Sequence, residues 1–465
     1  MTILTDSLPQ PFLAQMRQLL GNEFDAFISG YTNPSRRGLR FNLLKYDDSH
    51  PHNIIPTPLT PVPWCREGYE YPPESRPAKS ILYSAGLFYI QEPSAMSPAA
   101  ILRPQPGQRV LDICAAPGGK SVQLAGYMQG QGVLVSNDIS PSRCRALVKN
   151  LEMAGVTNAI VLTEKPNRLA DRFPAYFDCI LVDAPCSGEG MFRRDPDAAK
   201  AYTTNKPESC AVLQQEILRH AAAMLKPGGR LVYSTCTFNP LENEIAVAKF
   251  LAAHPDFELL PINHTSLGLS QGLSELANPA AWDGRTARIW PHTAPGEGHF
   301  IALMAKAGES KPTAGNRTIN QSRLPEEFTT FCEENLHNSS FLDPNKIIHH
   351  HNNALFLQPE SLNLSGLRVA RSGWLLGECA KGRFIPSQAL AMGITKNQAR
   401  YAIDLPEPEA LRYLKGESLT LPSQGFTPPP GKPWILICHG GFPLGWARLV
   451  QGRLKNQLPT SWVVS

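Results

Sequence analysis

Between residues 110 and about 306, short apolar runs alternate with helical segments, and no other feature of the chain limits its fold so sharply. The runs cover 110–114, 132–137, 160–163, 179–182 and 230–234. Such alternation predicts a mostly parallel sheet with helices on both faces and right-handed crossovers. Open sheets of this kind bind ligands beyond the carboxyl ends of their strands, so the residues after each run are where chemistry is expected.

The rest of the chain surrounds that sheet. Its 465 residues suggest about two to four domains. With 42% hydrophobic and 18% charged residues there is material for sizeable cores. The 35 glycines and 43 prolines stay below the roughly 25–30% that marks low complexity. The expected division is 1–100, 101–306, a small polar linker at 307–322, then units at 323–395 and 396–465. Residues 12–27 read as one amphipathic helical stretch, residues 35–42 as a basic segment entering a strand, and the proline-dense 51–77 as an extended connection. Strands are expected at 434–438 and 446–450 around Gly440-Gly441. No apolar run approaches the ~18 residues of a membrane span, and the first residues lack a signal peptide's pattern. A cytoplasmic monomer without membrane or metal partners is expected. None of the ten cysteines forms a C-x-x-C pair, so zinc-ribbon and dithiol readings fall. A net charge of +4 and a pI near 8.5 permit a polyanionic partner without requiring one.

Cys114-Ala115-Ala116-Pro117-Gly118-Gly119-Lys120 follows the first run as a small-residue turn opening a helix. Small residues let backbone approach a ligand closely. Asp138, ending the second run, is placed for a ribose hydroxyl pair. The turn is neither G-x-G-x-x-G nor a Walker loop, so an adenosine without phosphates, S-adenosylmethionine, suits it. The plainer reading is a tight strand-to-helix turn.

Asp183-Ala184-Pro185-Cys186-Ser187-Gly188-Glu189-Gly190 and Thr235-Cys236-Thr237 both follow strand-like runs. A lone cysteine is ordinarily a small buried hydrophobe. Two in turn-like loops at a ligand-binding edge, one beside an acid, suggest chemistry instead. Cytosine carbon 5 is too weak a nucleophile to accept a methyl group unaided. Thiolate addition to carbon 6 makes it enamine-like, which is covalent catalysis. A second thiol suits the later elimination, and an acid at Asp183 suits ring nitrogen 3.

These residues, with Gln91-Glu92-Pro93-Ser94-Ala95-Met96, Gly296-Glu297-Gly298-His299-Phe300 and Gly445-Trp446-Ala447-Arg448, resemble the Fmu/Sun family of RNA cytosine-5 methyltransferases, RsmF type. The resemblance spans nearly the whole chain. It implies a Rossmann-like class I methyltransferase core, a small N-terminal RNA-binding domain and a C-terminal PUA-like domain. It implies S-adenosylmethionine as cofactor and 16S rRNA or the small ribosomal subunit as partner. It assigns Cys236 as nucleophile, Cys186 to product release, Asp183 to both cytosine and cofactor, and Lys120 to the neighbourhood of the base. Residues 114–120 and Asp138 cradle the cofactor. The family's adenine-contacting acid aligns with Lys165, and the adjacent Glu164 is the candidate to replace it.

Plainer readings apply elsewhere. Cys114, Cys144, Cys179 and Cys210 read as packing, and His349-His350-His351 as surface rather than a metal cluster. Arg36, Arg37, Arg40, Arg193 and Arg194, with Phe41 and Phe192 for stacking, suggest an RNA track. Lys381, Arg383, Arg448, Arg453 and Lys455 offer further phosphate contacts. A zinc deaminase needs P-C-x-x-C, which Pro185-Cys186-Ser187-Gly188 lacks. A tRNA methyltransferase and a catalytically retired assembly factor remain as alternatives, and intact Cys186, Asp183 and Cys236 argue against the latter.

Overall fold

The computed structural model describes residues 8–32, 34–46, 54–55, 57–276, 284–309, 324–339, 341–342, 347–421 and 433–464. Most of the expected linker, 307–322, lies outside them. The single helical stretch expected near the N-terminus is two helices, Gln10–Leu20 and Phe24–Thr32, because Gly21 turns the chain at φ 50°. Four strands follow: β1 (Gly38–Phe41), β2 (Thr60–Val62), β3 (Cys65–Glu70) and β4 (Phe88–Ile90), ordered β2-β3-β1-β4. The proline-dense segment was expected to lack regular structure, yet it holds β2 and β3. Pro61 is tolerated because β2 is the edge strand, where a missing N–H breaks no inner ladder.

The central sheet contains β5 (Arg109–Asp112), β6 (Val133–Asn137), β7 (Ala159–Leu162), β8 (Phe177–Asp183), β9 (Leu225–Thr235), β10 (Phe257–Leu259), β11 (Ser270–Gln271), β12 (Thr286–Ile289) and β13 (His299–Lys306). Its main path runs β11-β12-β13-β9-β8-β5-β6-β7, with β10 beside β13. β5 to β9 pair in parallel, while β12 and β13 return antiparallel. Alternating side chains enter opposite layers: Val110, Leu134 and Leu181 join one apolar cluster, Leu111, Val135 and Ile180 the other. The expected parallel sheet with both faces covered is therefore present.

Beyond it lie β14 (Ile347–His351), β15 (Ala354–Gln358), β16 (Val369–Arg371), β17 (Trp374–Ala380) and β18 (Arg383–Pro386), then β19 (Ala402–Asp404), β20 (Leu419–Thr420), β21 (Trp434–His439), β22 (Phe442–Val450) and β23 (Arg453–Asn456). β14-β15-β17-β18 form one sheet and β19-β21-β22-β23-β20 another. Gly440 and Gly441, both at positive φ, make the turn between β21 and β22. The two sheets share one apolar cluster that includes Phe331, Trp374, Trp434 and Trp446.

β16 leaves its neighbours and pairs antiparallel with β7, so a C-terminal segment becomes the edge of the central sheet. The segment is held by Arg109–Glu360 at 3.0 Å, Arg371–Glu152 at 2.5 Å and the Thr163 amide donating to the Arg368 carbonyl at 2.8 Å. Glu164, 1% exposed, accepts the Arg368 amide at 2.8 Å. Burial pushes its carboxyl up, but Arg368, chiefly through that amide, and Arg168 outweigh this and hold it below the ordinary value. Glu164→Ala should cost about 1–3 kcal/mol by leaving the Arg368 amide unpaired. Hydrogen exchange should show lost protection confined to β16 and its flanks, and unchanged protection there would remove this docking role.

Candidate active site

β8 and β9 run in register with Asp183 opposite Ser234, so the loops after them leave the sheet side by side. The loops are then fastened together. The Ala184 amide donates to the Ser234 carbonyl at 2.9 Å, and the Gly190 amide to the Cys236 carbonyl at 2.8 Å. Ser187 and Thr237 hydroxyls meet at 2.7 Å, and the Phe238 amide donates to Glu189 at 2.9 Å. A Cβ on Gly190 would stand 2.8 Å from the Cys236 carbonyl oxygen, so only glycine permits this approach. Cys186 Sγ and Cys236 Sγ consequently lie 3.4 Å apart, both as free thiols.

Asp183 sits at the mouth of this pair with 28% of its side chain exposed. Its carboxylate accepts from Lys120 Nζ at 2.8 Å and from Ser234 Oγ at 2.8 Å. His299 Nε2 lies 3.4 Å away, and its ring nitrogens have no hydrogen-bond partner among the described residues. Burial raises the Asp183 carboxyl, but Lys120 and then His299 outweigh it and hold the group well below the carboxylate range. Burial lowers the Lys120 ammonium, Asp183 reverses this, and Cys236 adds to the upward shift. Contact with Cys236, then burial, pushes the Cys186 thiol well above its ordinary value, with the Glu242 carboxylate adding to the effect.

The turn 114–120 crosses from β5 into the helix Gly119–Met128. The Ala115 amide donates to the Asn137 carbonyl at 2.7 Å. Gly118 adopts φ 115°, which a side chain disfavours. Asp138 directly follows β6, 3% exposed and paired with Arg143 at 3.2 Å. Beside it Ile139 is 63% exposed, an apolar surface at the strand end. Asp112 beneath the turn has one buried oxygen without a partner among the described residues, and burial pushes its carboxyl up to about 7. Glu164 lies one residue layer away: its amide and carbonyl bond Asn137, while its carboxylate is taken up by Arg368 and Arg168.

The RNA track expected from arginines and aromatics is only partly at the surface. Arg40, 1% exposed, bonds Gln91 at 3.1 Å and the Gly119 carbonyl at 2.8 Å, so it braces the cofactor turn. Arg193 pairs with Glu297 at 2.6 Å and bonds the Gly30 carbonyl. Phe41 and Phe192 are buried among other rings, which removes both from stacking roles. Arg36, Arg37 and Arg194 remain exposed or nearly so. The reason is tertiary: the N-terminal helices pack on the cysteine loops, with Gln15 bonding Glu189 and Asn239 and with Phe12 against Phe192.

Sequence reasoning gave no role to Glu242, Glu189 or Ser234, and quoted His299 only inside a motif. Glu242-Asn243-Glu244, shortly after Pro240, was the available signal for Glu242. Glu242 accepts from the Ser187 amide at 2.9 Å, from the Ser187 hydroxyl and from Gln214 at 2.9 Å.

The parallel core with antiparallel final strands, carrying a ligand turn after its first strand, defines a class I methyltransferase. Family models match in four consecutive stretches: the N-terminal domain of 16S rRNA methyltransferase RsmF at 8–93, 16S rRNA methyltransferase RsmB/F at 99–305, the RsmF first C-terminal domain at 330–394 and the methyltransferase RsmF PUA domain at 400–464. Ribosomal RNA small subunit methyltransferase F of Erwinia tasmaniensis is 31% identical over 98% of this chain and 96% of its own length. The protein of the same name from Enterobacter sp. strain 638 is 32% identical with the same coverage. A methyltransferase homologue from Pyrococcus horikoshii, 32% identical, superposes with a TM-score of 0.57 over 66% of this chain and 99% of its own. The chain belongs to the RsmF family.

Burial raises the Glu242 carboxyl from 4.5 to about 7. A carboxyl raised in the folded state stabilises fully below its unfolded value and loses that contribution as pH rises through the folded one. Urea unfolding should therefore show Glu242→Gln gaining on the wild type between pH 4.5 and 8, by up to about 3 kcal/mol. A pH-independent gap would show that Glu242 ionises normally.

Proposed function

We propose that this chain methylates carbon 5 of a cytosine in 16S rRNA, using S-adenosylmethionine, through a covalent adduct with Cys236. The observation that carries the reading is the thiol pair at 3.4 Å beside a carboxylate held ionised by Lys120. The RsmF relatives support the RNA and the reaction class. Ribosomal RNA is a cytoplasmic substrate in bacteria, and among the described residues no helix is long and apolar enough to cross a membrane.

The cofactor turn fits the group. Gly118 and Gly119 let Leu147 and Tyr89 pack within 3.0 Å of where a Cβ would stand, which shapes the turn; Asp138, held by the Ser140 amide and Arg143, keeps a further lone pair on each oxygen for a ribose, and exposed Ile139 offers an apolar face to adenine. When bound, S-adenosylmethionine supplies an electrophilic methyl group. The residues of the chain do the rest. Cys236, close to the Lys120 ammonium, adds as thiolate to carbon 6 of a cytosine flipped from its stack. Lys120 donates to ring nitrogen 3 and polarises the ring, while the ionised Asp183 accepts from the exocyclic amino group. Carbon 5, now enamine-like, accepts the methyl group. The carbon 5 proton then passes to solvent as the carbon 6–sulfur bond breaks and Cys236 leaves as a thiolate. Cys186, kept as a thiol by its surroundings and 3.4 Å away, supports that step by donating a hydrogen bond to the departing sulfur.

With Cys236→Ala, methylation should vanish while RNA binding persists. With Cys186→Ala, elimination should stall and a protein–RNA complex resistant to denaturing electrophoresis should accumulate, absent from the double variant. Trapping by Cys236→Ala instead would reverse the roles, and normal methylation by both variants would end the covalent mechanism. Asp138→Ala should weaken cofactor binding by about 1–3 kcal/mol in calorimetry, because ribose donors are left unpaired. Unchanged affinity would remove Asp138 from the site.

A further inference from the structure

We infer that His299 is the positioning residue that fixes the Asp183 carboxylate so that its free acceptor meets the exocyclic amino group of the target cytosine, an inference that rests on the cytosine reading above. Side chains alternate along a strand, and Leu181, Val232 and Ile301 belong to one apolar cluster. Asp183, Ser234 and His299, each two residues from one of these, therefore emerge on the same face of the sheet. Asp183 stands opposite Ser234, and Ser234 opposite Ile301. His299, the first residue of β13, thus lies one step further toward the ligand edge. It is 4% exposed, and among the described residues neither ring nitrogen has a hydrogen-bond partner. Its Nε2 stands 3.4 Å from Asp183 Oδ1.

A polar ring buried without a partner costs stability, and this one is aimed at a group that the reaction uses. Facing an ionised carboxylate, Nε2 carries the proton, and the contact tightens to a hydrogen bond when the substrate fills the mouth. Against burial, Lys120 and then His299 hold Asp183 ionised. A carboxylate has about four acceptor positions. Lys120 takes one on Oδ2, and Ser234 takes one on Oδ1. With His299 also on Oδ1, the acceptor left over is on Oδ2, beside the Lys120 ammonium. The cytosine edge has the matching order, nitrogen 3 as acceptor next to an amino donor, and uracil reverses both. Without His299, Oδ1 keeps an acceptor too, and the carboxylate loses its single pose.

The test uses full-length protein and 16S rRNA built with either 5-fluorocytosine or 5-fluoro-2-pyrimidinone at the cytosine that the wild type methylates. Fluorine cannot leave carbon 5 as a cation, so each methylated adduct persists and is read by denaturing electrophoresis. The pyrimidinone lacks the amino group. His299→Leu should trap the 5-fluorocytosine RNA about tenfold more slowly than wild type, and the pyrimidinone RNA within about twofold of it. On ordinary 16S rRNA its kcat should fall, while KM for RNA and cofactor affinity in calorimetry hold. His299→Gln, whose amide reaches the Nε2 position, should recover most of the rate. Where His299→Leu does not fold, His299→Asn, polar but too short to reach Asp183, gives the same comparison. Equal slowing on both RNAs would overturn the inference and leave His299 a packing residue. So would unchanged trapping of both, or a glutamine variant as slow as the leucine one on the 5-fluorocytosine RNA. A wild type that traps neither RNA would instead overturn the covalent cytosine reading itself.

Discussion

The parallel pairing of β8 with β9 is the constraint on which the site depends. Asp183 opposite Ser234 fixes where two loops leave the sheet, and a shift of one residue would turn every side chain to the opposite face. From that register follow the Ser187–Thr237 hydroxyl contact, the Gly190–Cys236 backbone bond and finally the two sulfurs at 3.4 Å. The thiols are not joined by any direct sequence relation. They meet because hydrogen bonds between strands transmit position over the fifty residues that separate them.

Charge burial around these loops is arranged in layers. Lys120 neutralises Asp183 at the mouth, and Glu242 and Glu189 behind it are surrounded by amides and hydroxyls. Arg288 paired with Glu244 at 2.6 Å, both about 1% exposed or less, supports the same region from β12. Such pairs add little net stability over an apolar packing but cost heavily if one partner is lost. They therefore hold loop geometry more than they strengthen the fold. The N-terminal helices belong to this arrangement, since Gln15 and Tyr31 reach Glu189 from outside the central sheet.

The C-terminal half is tied to the cofactor end rather than appended to it. β16 extends the sheet beside β7, and Glu164 spends its carboxylate on the Arg368 amide. Glu164, the neighbour of the position where the family carries its adenine-contacting acid, is thus the dock for a strand from two hundred residues away. A boundary near 306, read from small polar residues, marks a change in composition but not the limit of contact.

Sequence alone determined the parallel sheet, the turn 114–120, Asp138 and the paired cysteine loops, because periodicity and small-residue turns are local and the motifs lie at strand ends. It also located β21 and β22 from their Gly-Gly turn. Tertiary structure decided the rest. Arg40 and Arg193 carry the same side chains as a solvent-facing RNA contact, and only the packing of Gln91, Gly119 and Glu297 against them turns them inward. Pro61 reads as a strand breaker until its strand is known to be an edge. His299 and Glu242 became visible only when β13 and the loop after β9 brought them to Asp183 and Ser187. Local pattern records which face a residue presents, whereas what that face meets is set by contacts between segments distant in the chain.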